Sequence, residues 1–362
     1  MKLLVCTYEY FPNGSGIANV VYNIVRELEK KGVDCTVCSP TGPDIRLGNR
    51  RLIAKTGILG LMDFWLKVSK LDMTKYDAVW LNQPISLRKI SHKNLVVTVH
   101  TTYHAYDKMG FYPWPYYRLA AFLEKLCLEK LDQNIKFVSI SADIKNELSE
   151  IGIDKNRITC IPNGVDTHRF KPIKGSVASR IKLGLPENKK ILLSVGRLTE
   201  QKQPCKLIEL FSHLEKKDGN LFLAIAGKGE LLEKSKDYAA SLGVKNIRFL
   251  GFVPDKILPK LYSTCDYYIL LSKYEGQPLT LLEAMSSGLP TIVSNLPNLN
   301  IVEKNNAGIS LNLKNMNSAA AKAIEFTKKN PALYSKNARK YAECVDWKNI
   351  AFVYLKIYNL RA

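Results

Sequence analysis

The feature that most constrains this chain is a repeated alternation of short apolar runs with amphipathic helical segments. Its first occurrence runs from KLLVCTY through the helical segment IANVVYNIVRELEKKG to VDCTVCSP. A strand, a helix and a strand in that order favour a parallel sheet, because parallel strands need a long crossover connection. The pattern therefore predicts an α/β fold.

The alternation occurs in two series, which predicts two domains. The first series includes YDAVWLN, LVVTVH and FVSIS, and the second begins at KKILLSVG and continues through LFLAIAG, DYYILLS and PTIVSN. The length of 362 residues also exceeds what one hydrophobic core usually supports. We expect two doubly wound Rossmann-like domains, residues 1–170 and 171–346, with a last helix, 347–362, packed back on the first domain.

Composition is typical of a folded protein without membrane-spanning or secretory segments. Hydrophobic residues make up 46% of the chain and charged residues 24%, which are ordinary fractions for a soluble domain. No apolar run approaches the roughly 20 residues of a transmembrane helix, and the start, MKLLVCTYEYFP, does not resemble a signal peptide. We expect a cytoplasmic protein whose eight cysteines are reduced core residues.

The formal charge of +20 favours partners that carry phosphate or an anionic surface. A nucleic-acid-binding protein is one alternative, but the sequence lacks the interleaved arginines and aromatics of such modules. The segment 49–70, NRRLIAKTGILGLMDFWLKVSK, supports a second hypothesis, peripheral binding to an anionic membrane with Trp65 inserted. A core helix with a solvated basic face would explain the same segment.

Loops that follow strands are the places to look for chemistry, because open α/β sheets bind ligands beyond the carboxyl ends of their strands. NGSG ends at Gly16 and opens the first helix, so its backbone N–H groups could bind an anion; a plain tight turn is the alternative. Asn19 stands where a dinucleotide fingerprint needs Gly or Ala, which argues against a dehydrogenase. SVGRLTEQK places Gly196, Arg197 and Lys202 after a strand, where the two cations suit a diphosphate.

The segment SKYEGQPLTLLEAM carries two glutamates in different local structures. Glu275 follows the strand DYYILLS, and Glu283 lies about one turn into a helix that begins near Leu279. This spacing allows both carboxylates to face one cleft. One could then meet a sugar near its reacting carbon, and the other a ribose diol.

With these motifs in this order, the chain resembles the retaining GT-B glycosyltransferases of family 4. EGQPLTLLE resembles the family's two-glutamate motif and GRLTEQK its donor-phosphate segment, while GSG, PNGVD, AGKGE and RFLGFV match in order. The resemblance implies two Rossmann-like domains facing across a cleft and retaining transfer from a nucleoside diphosphate sugar, with no metal or cofactor. The acceptor would be a glycan, a lipid-linked sugar or a small molecule. A GT-B epimerase or phosphorylase is the rival within the fold.

The resemblance also implies roles for individual residues. The catalytic residues would be Glu275, His100, Arg197 and Lys202, and the donor would further contact Gly16, Gly196, Gly276, Leu279, Thr280 and Glu283. Arg197 and Lys202 would neutralise the departing diphosphate, and Glu275 would stabilise the oxocarbenium-like centre. Glu283 would bind the ribose hydroxyls. His100, in VTVHT, would sit beside the reacting sugar.

Several features qualify this resemblance. Pro278 stands where many family members have a glycine, so one backbone N–H is missing and the donor sugar stays open. Asn300 replaces the usual acidic residue near the nucleotide. His100 and His104 have i,i+4 spacing but no third partner, so we predict no metal site. The aromatic segment YHAYDKMGFYPWPYY is either ordinary packing or an acceptor platform.

Overall fold

The computed structural model describes residues 1–111, 113–132, 134–173 and 177–358. The chain divides into two compact units, which meet between Asn163 and Gly164 and so ahead of the boundary we placed after Phe170. Unit 1 comprises Met1–Asn163 together with Trp347–Ala362, and unit 2 comprises Gly164–Asp346. Tyr112 of the aromatic segment and residues 359–362 of the predicted last helix lie outside the described residues.

Unit 1 is built on a parallel sheet. Its strands are β1 (Lys2–Thr7), β2 (Asp34–Ser39), β3 (Ile45–Arg46), β4 (Ala78–Asn82), β5 (Leu95–Val99), β6 (Lys136–Ser139) and β7 (Ile158–Cys160). The strand order is β3-β2-β1-β4-β5-β6-β7. The helices between them are α1 (Gly16–Glu29), α2 (Arg50–Thr56), α3 (Ile58–Val68), α4 (Tyr103–Lys108), α5 (Trp114–Glu129) and α6 (Ala142–Glu150).

Unit 2 repeats this plan. Its strands are β8 (Lys190–Val195), β9 (Leu221–Ala226), β10 (Ile247–Gly251), β11 (Tyr267–Leu270), β12 (Thr291–Ser294) and β13 (Gly308–Leu311). Its helices are α7 (Val177–Lys182), α8 (Pro204–Lys217), α9 (Leu232–Ser241), α10 (Leu258–Thr264), α11 (Leu279–Ser286), α12 (Ile301–Lys304), α13 (Met316–Lys328) and α14 (Ala332–Cys344). The order β10-β9-β8-β11-β12-β13 reverses direction beside its first strand, as in doubly wound folds. The prediction of two Rossmann-like α/β domains is confirmed.

The last helix, α15 (Trp347–Ile357), lies against α1 in unit 1. The Tyr354 hydroxyl shares a hydrogen bond of 3.0 Å with Thr98 Oγ1. Trp80 Nε1 donates to the same Thr98 oxygen at 2.8 Å, and the rings of Trp80 and Tyr354 are 4.9 Å apart. Because Trp80 and Thr98 belong to the central strands β4 and β5, this polar contact and the ring packing together fix the helix on one face of the sheet.

The apolar face of α3 is part of the unit 1 core. Trp65 and Phe64 are completely buried in that core, so insertion of Trp65 into a membrane is wrong. The amphipathic pattern produced the error, because α3 is apolar on more than its core face: Leu59 is 61% exposed and Leu66 is 44% exposed. No helix within the described ranges is long and apolar enough to cross a membrane.

Two glycines allow close backbone packing at the carboxyl edge of the unit 2 sheet. Gly227 follows β9 with φ +145°, and a Cβ atom added to it would lie 1.8 Å from the Gly196 carbonyl oxygen. A Cβ atom on Gly229 would lie 2.3 Å from the Leu198 carbonyl oxygen. The Leu198 N–H donates to the Lys228 carbonyl at 3.0 Å. The AGKGE loop therefore packs by its backbone on the loop that carries Arg197.

We expect Gly227→Ala to destabilise unit 2, because the new Cβ atom clashes with backbone that cannot move aside. A residue with a side chain that is forced into the positive φ of Gly227 should by itself lower the free energy of unfolding by about 1–3 kcal/mol. Gly219→Ala is the matched control, since nothing lies within 4 Å of a Cβ atom there. Urea unfolding of both variants measures the difference, and equal losses of stability would contradict the packing argument.

Candidate functional site

A small pocket at the carboxyl end of β8 collects the predicted diphosphate-binding residues. Gly196, Arg197 and Lys202 line it together with apolar side chains that include Leu207 and Ile225. Arg197 is exposed, whereas the Lys202 side chain is only 21% exposed. Arg197 and Lys202 thus line one pocket at a sheet edge of the kind that binds ligands in such folds.

Lys202 also contacts the first of the two glutamates. Its Nζ lies 2.5 Å from Glu275 Oε1, and the Glu275 side chain is 5% exposed. The Ser272 hydroxyl donates to the same carboxylate oxygen at 2.6 Å. Two residues predicted to be catalytic therefore form a charge-assisted hydrogen bond, although 73 positions separate them along the chain.

The loop that carries Glu275 is held by neighbouring loops. Asn298 Nδ2 donates to the carbonyl oxygens of Glu275 and, at 2.8 Å, Gly276. Gln201 Nε2 donates to the Tyr274 carbonyl at 2.9 Å. The 3-10 turn that contains Gln201 also carries Lys202, so one turn both supplies the cation and supports the carboxylate's loop.

Glu283 has a different environment. It lies one turn into α11, where the Tyr262 hydroxyl donates to its Oε2 at 2.9 Å. Burial raises the pKa of Glu283 to about 7, although the Tyr262 hydrogen bond and the Arg169 charge act in the opposite direction. Glu275 has a cation as partner and Glu283 a neutral phenol, so the two carboxylates are chemically distinct.

Leu279 and Thr280 form the first turn of α11, directly after Pro278. The N–H groups of a first helical turn have no acceptor within the helix and favour anions. The Thr280 hydroxyl is held by the Tyr268 hydroxyl at 2.8 Å. This turn can therefore offer backbone donors to a phosphate.

In unit 1, Gly16 begins α1 and is exposed. The preceding turn is closed by Glu9, whose Oε2 accepts hydrogen bonds from the Ser15 N–H at 2.8 Å and the Ser15 hydroxyl at 2.5 Å. Gly14 has φ +135°, and a Cβ atom on it would lie 2.7 Å from Ala18 Cβ. NGSG is thus a tight turn with one N–H already bonded to a carboxylate, and anion binding at Gly16 stays a prediction.

His100 follows β5 and is 3% exposed. Its ring Nε2 lies 3.3 Å from Asn82 Oδ1, and its backbone N–H donates to Gln83 Oε1 at 2.9 Å. Burial lowers the pKa of His100 to about 4, so the ring is neutral near pH 7. A neutral ring can form hydrogen bonds with a sugar, but it contributes no charge.

The two histidines have different partners: the His104 ring contacts Glu150 at 2.9 Å in an exposed position, whereas the His100 ring contacts Asn82 in a buried one. Within the described ranges, no group of three His, Cys, Asp or Glu side chains is arranged to hold a metal ion.

Two family models match the chain in succession. One is described as Glycosyltransferase Family 4 and matches residues 14–169, and the other is described as Glycosyl transferases group 1 and matches residues 177–343. This chain belongs to the group 1 glycosyltransferases. The second match contains the pocket with Arg197 and Lys202 and also contains Glu275 and Glu283. The first match contains Gly16 and His100.

Curated relatives share this family resemblance. The UDP-Gal:alpha-D-GlcNAc-diphosphoundecaprenol alpha-1,3-galactosyltransferase of Escherichia coli is 37% identical over 166 residues, which cover 44% of this chain and 42% of that protein. The alpha-monoglucosyldiacylglycerol synthase of Streptococcus pneumoniae is 25% identical over 319 residues, 83% of this chain and 72% of that protein. The chain therefore spans less than half the length of the galactosyltransferase it matches.

A solved structure of similar fold is WaaG, a glycosyltransferase involved in lipopolysaccharide biosynthesis. The TM-score is 0.77 with 20% sequence identity, over 98% of this chain and 99% of WaaG. At that identity the likeness concerns the fold alone, and it agrees with the two doubly wound sheets described above.

Sequence reasoning missed two residues in the loops that follow strands of the unit 2 sheet. Asn298 supports the Glu275 loop, but its segment LPNLN has no pattern beyond that of a turn. Phe252 follows β10 and is 68% exposed; an aromatic ring in that position can stack on a planar group. The quoted motif RFLGFV contains Phe252, so its place after a strand was the available signal.

We expect stability to depend on pH through Glu283. Its pKa is raised from an ordinary 4.5 to about 7, so the folded state binds a proton more tightly than the unfolded state. This difference adds up to about 3 kcal/mol to the free energy of unfolding below pH 4.5, and the contribution is lost as pH rises through 7. Glu283→Gln has no group that titrates here, so it does not lose this contribution. The stability of the variant minus that of the wild type should therefore increase from pH 5 to pH 8.

Thermal unfolding at pH 5 and pH 8 measures this difference. Glu233→Gln on α9 is the control, because that side chain is 76% exposed. A constant difference between Glu283→Gln and wild type across this range would contradict the prediction.

Proposed function

We propose that this chain transfers a sugar from a nucleoside diphosphate sugar to an acceptor, with retention at the anomeric carbon. The observation that carries the proposal is the Lys202–Glu275 pair beside Arg197 at the end of β8. When the bond to the donor sugar breaks, negative charge grows on the diphosphate and positive charge grows on the sugar. Adjacent cations and a carboxylate complement both developing charges.

In this proposal Arg197 and Lys202 neutralise the leaving diphosphate. The guanidinium can bind two phosphate oxygens at once, and the ammonium has three N–H donors. Lys202 can therefore keep its bond to Glu275 while a second N–H reaches a phosphate oxygen. Two side-chain cations can neutralise the charge on the diphosphate, as a metal ion does in other enzymes. We therefore propose that transfer needs neither a metal nor another cofactor.

The remaining donor contacts follow from the local chemistry. We propose that Glu283 accepts hydrogen bonds from the ribose hydroxyls, and that the first turn of α11, with Leu279 and Thr280, donates N–H groups to phosphate. Glu275 stabilises the positive sugar carbon, and Gly196 and Gly276 let backbone approach the donor. We assign neutral His100 to a hydroxyl of the donor sugar and Gly16 to phosphate.

We further propose a lipid-linked acceptor, handled by unit 1. Both relatives described above are named for lipids: the galactosyltransferase for a sugar diphosphoundecaprenol, and the synthase for a monoglucosyldiacylglycerol. These names favour a lipid acceptor over a free glycan or a small molecule.

Unit 1 exposes apolar side chains on two of its helices, and we propose that they form one surface suited to an anionic membrane, which we call the α3–α5 face. Its apolar members are Leu59 and Leu66 of α3 and Trp114, Leu119 and Phe122 of α5, each between 44% and 61% exposed. The Ile58 N–H donates to the Tyr116 hydroxyl at 3.0 Å, which joins the two helices. Arg118 lies over the Trp114 ring at 5.0 Å. We propose peripheral binding at the cytoplasmic face of a membrane through this surface, in place of Trp65.

We expect Arg197→Ala and Lys202→Ala each to lower kcat/KM about 100-fold or more, because an electrostatic contact of this kind is worth about 2–4 kcal/mol in the transition state. The assay measures transfer from a panel of nucleoside diphosphate sugars, with and without EDTA. Lys206→Ala is the control, since Lys206 lies on α8 and pairs with Glu209 instead. Wild-type rates in the first two variants would refute the donor site, and loss of activity in EDTA would refute metal independence.

We expect the protein to pellet with phosphatidylglycerol vesicles at low salt and less at high salt, because each basic residue near an anionic bilayer contributes about 1 kcal/mol. Leu119→Ser combined with Phe122→Ser should reduce pelleting, and Arg118→Glu should reduce it mainly at low salt. Leu333→Ser is the control, a 56% exposed apolar side chain of unit 2. Wild-type protein that stays in the supernatant would exclude the membrane proposal and leave sugar transfer untouched.

A further inference from the structure

Unit 1 contains a completely buried carboxylate that the proposed reaction does not use. Glu124 lies in the middle of α5 with 0% exposure. A glutamate is rarely buried to this extent unless its oxygens are paired. Here the Gln83 side-chain amide donates to Oε1 at 3.3 Å, and the His104 backbone N–H donates to Oε2 at 3.2 Å.

Gln83 connects this carboxylate to the end of β5. Its Oε1 accepts the His100 N–H at 2.9 Å, and its Nε2 donates to the Thr101 carbonyl at 2.6 Å. One amide thus holds the backbone of two consecutive residues. Gln83 has a left-handed backbone, with φ +55°, a conformation that a residue with a side chain keeps only when its surroundings fix it.

The other end of the segment is fixed by the start of α4. Thr102 Oγ1 accepts the Ala105 N–H at 3.0 Å and donates to Glu147 Oε2 at 2.7 Å. Glu124 lies at the same helix start, where its Oε2 accepts the His104 N–H. Residues 100–104 are therefore held at both ends by buried or partly buried side chains.

We infer that Glu124 is a positioning residue which, through Gln83 and the first turn of α4, fixes residues 100–104 and so presents the His100 ring to the donor sugar. The inference rests on the role proposed above for His100. Both Glu124 oxygens accept N–H donors. Burial raises the pKa of this carboxyl to about 8, and in either protonation state each of its oxygens keeps a lone pair for such a donor. Glutamine in its place would turn one acceptor into an NH2 group that faces another N–H.

The first test compares kinetics with stability. Glu124→Gln should lower kcat at least 10-fold while the donor KM stays within threefold, because the misplaced ring acts after the diphosphate is bound. Gln83→Met should have a similar effect, and the double variant should be little worse than either, since both act through one network. Leu128→Ala is the control, a core residue one turn further along α5 and 3% exposed; it should lower Tm but leave kcat of the folded enzyme unchanged.

The second test needs no activity. In protein labelled with 13C-histidine, the His100 signal, assigned by its loss in His100→Gln, should not titrate between pH 8 and pH 5.5. In Glu124→Gln it should begin to titrate, because a ring released from its buried position regains a pKa nearer 6.5.

These outcomes separate the inference from the proposed function. A Glu124→Gln variant that loses only Tm, with kcat and the His100 signal as in wild type, would overturn the positioning role. The opposite outcome is also informative. If the wild type shows no transferase activity and the His100 signal still changes in Glu124→Gln, the positioning role is supported and the function proposed for the site is overturned.

Discussion

A lysine and an almost buried glutamate meet at 2.5 Å where the loops after β8 and β11 come together. Removing a carboxylate from water without a partner costs several kcal/mol, on the order of the whole stability of a domain. Lys202 offsets that cost for Glu275, and the loops must hold both groups still for the contact to persist. The support from Ser272, Gln201 and Asn298 follows from this requirement.

The parallel sheet explains how residues so distant in sequence meet. β8 lies between β9 and β11, so the loops that leave these three strands share one edge. Glycine sets how close they approach, since Gly227 contacts the backbone of the Arg197 loop where no side chain fits. The topology brings the loops together, and the absence of Cβ atoms brings them into contact.

The sequence predicts the architecture well because the alternation of strands and helices is a strong and local signal. The local pattern shows only that Gly196, Arg197, Lys202 and Glu275 each follow a strand of the second series. The resemblance to the family 4 glycosyltransferases is what predicts that they share one donor site. The prediction that Trp65 inserts into a membrane fails, because the sequence of an apolar helix does not show which side of the helix faces the core. α3 is apolar on both sides, and only its packing decides that Trp65 is buried while Leu59 is exposed.

Glu124 and Gln83 could not be predicted, for a physical reason. A glutamate in a helical segment such as RLAAFLEKLCLEK has the pattern of a solvated residue, because charged side chains are normally exposed. Its burial becomes possible only through donors that lie 41 and 20 positions away. The same holds for His100, whose neutral state follows from burial rather than from neighbours in the sequence. Local pattern identifies which residues can do chemistry, whereas the environment that sets their charge comes from tertiary contacts.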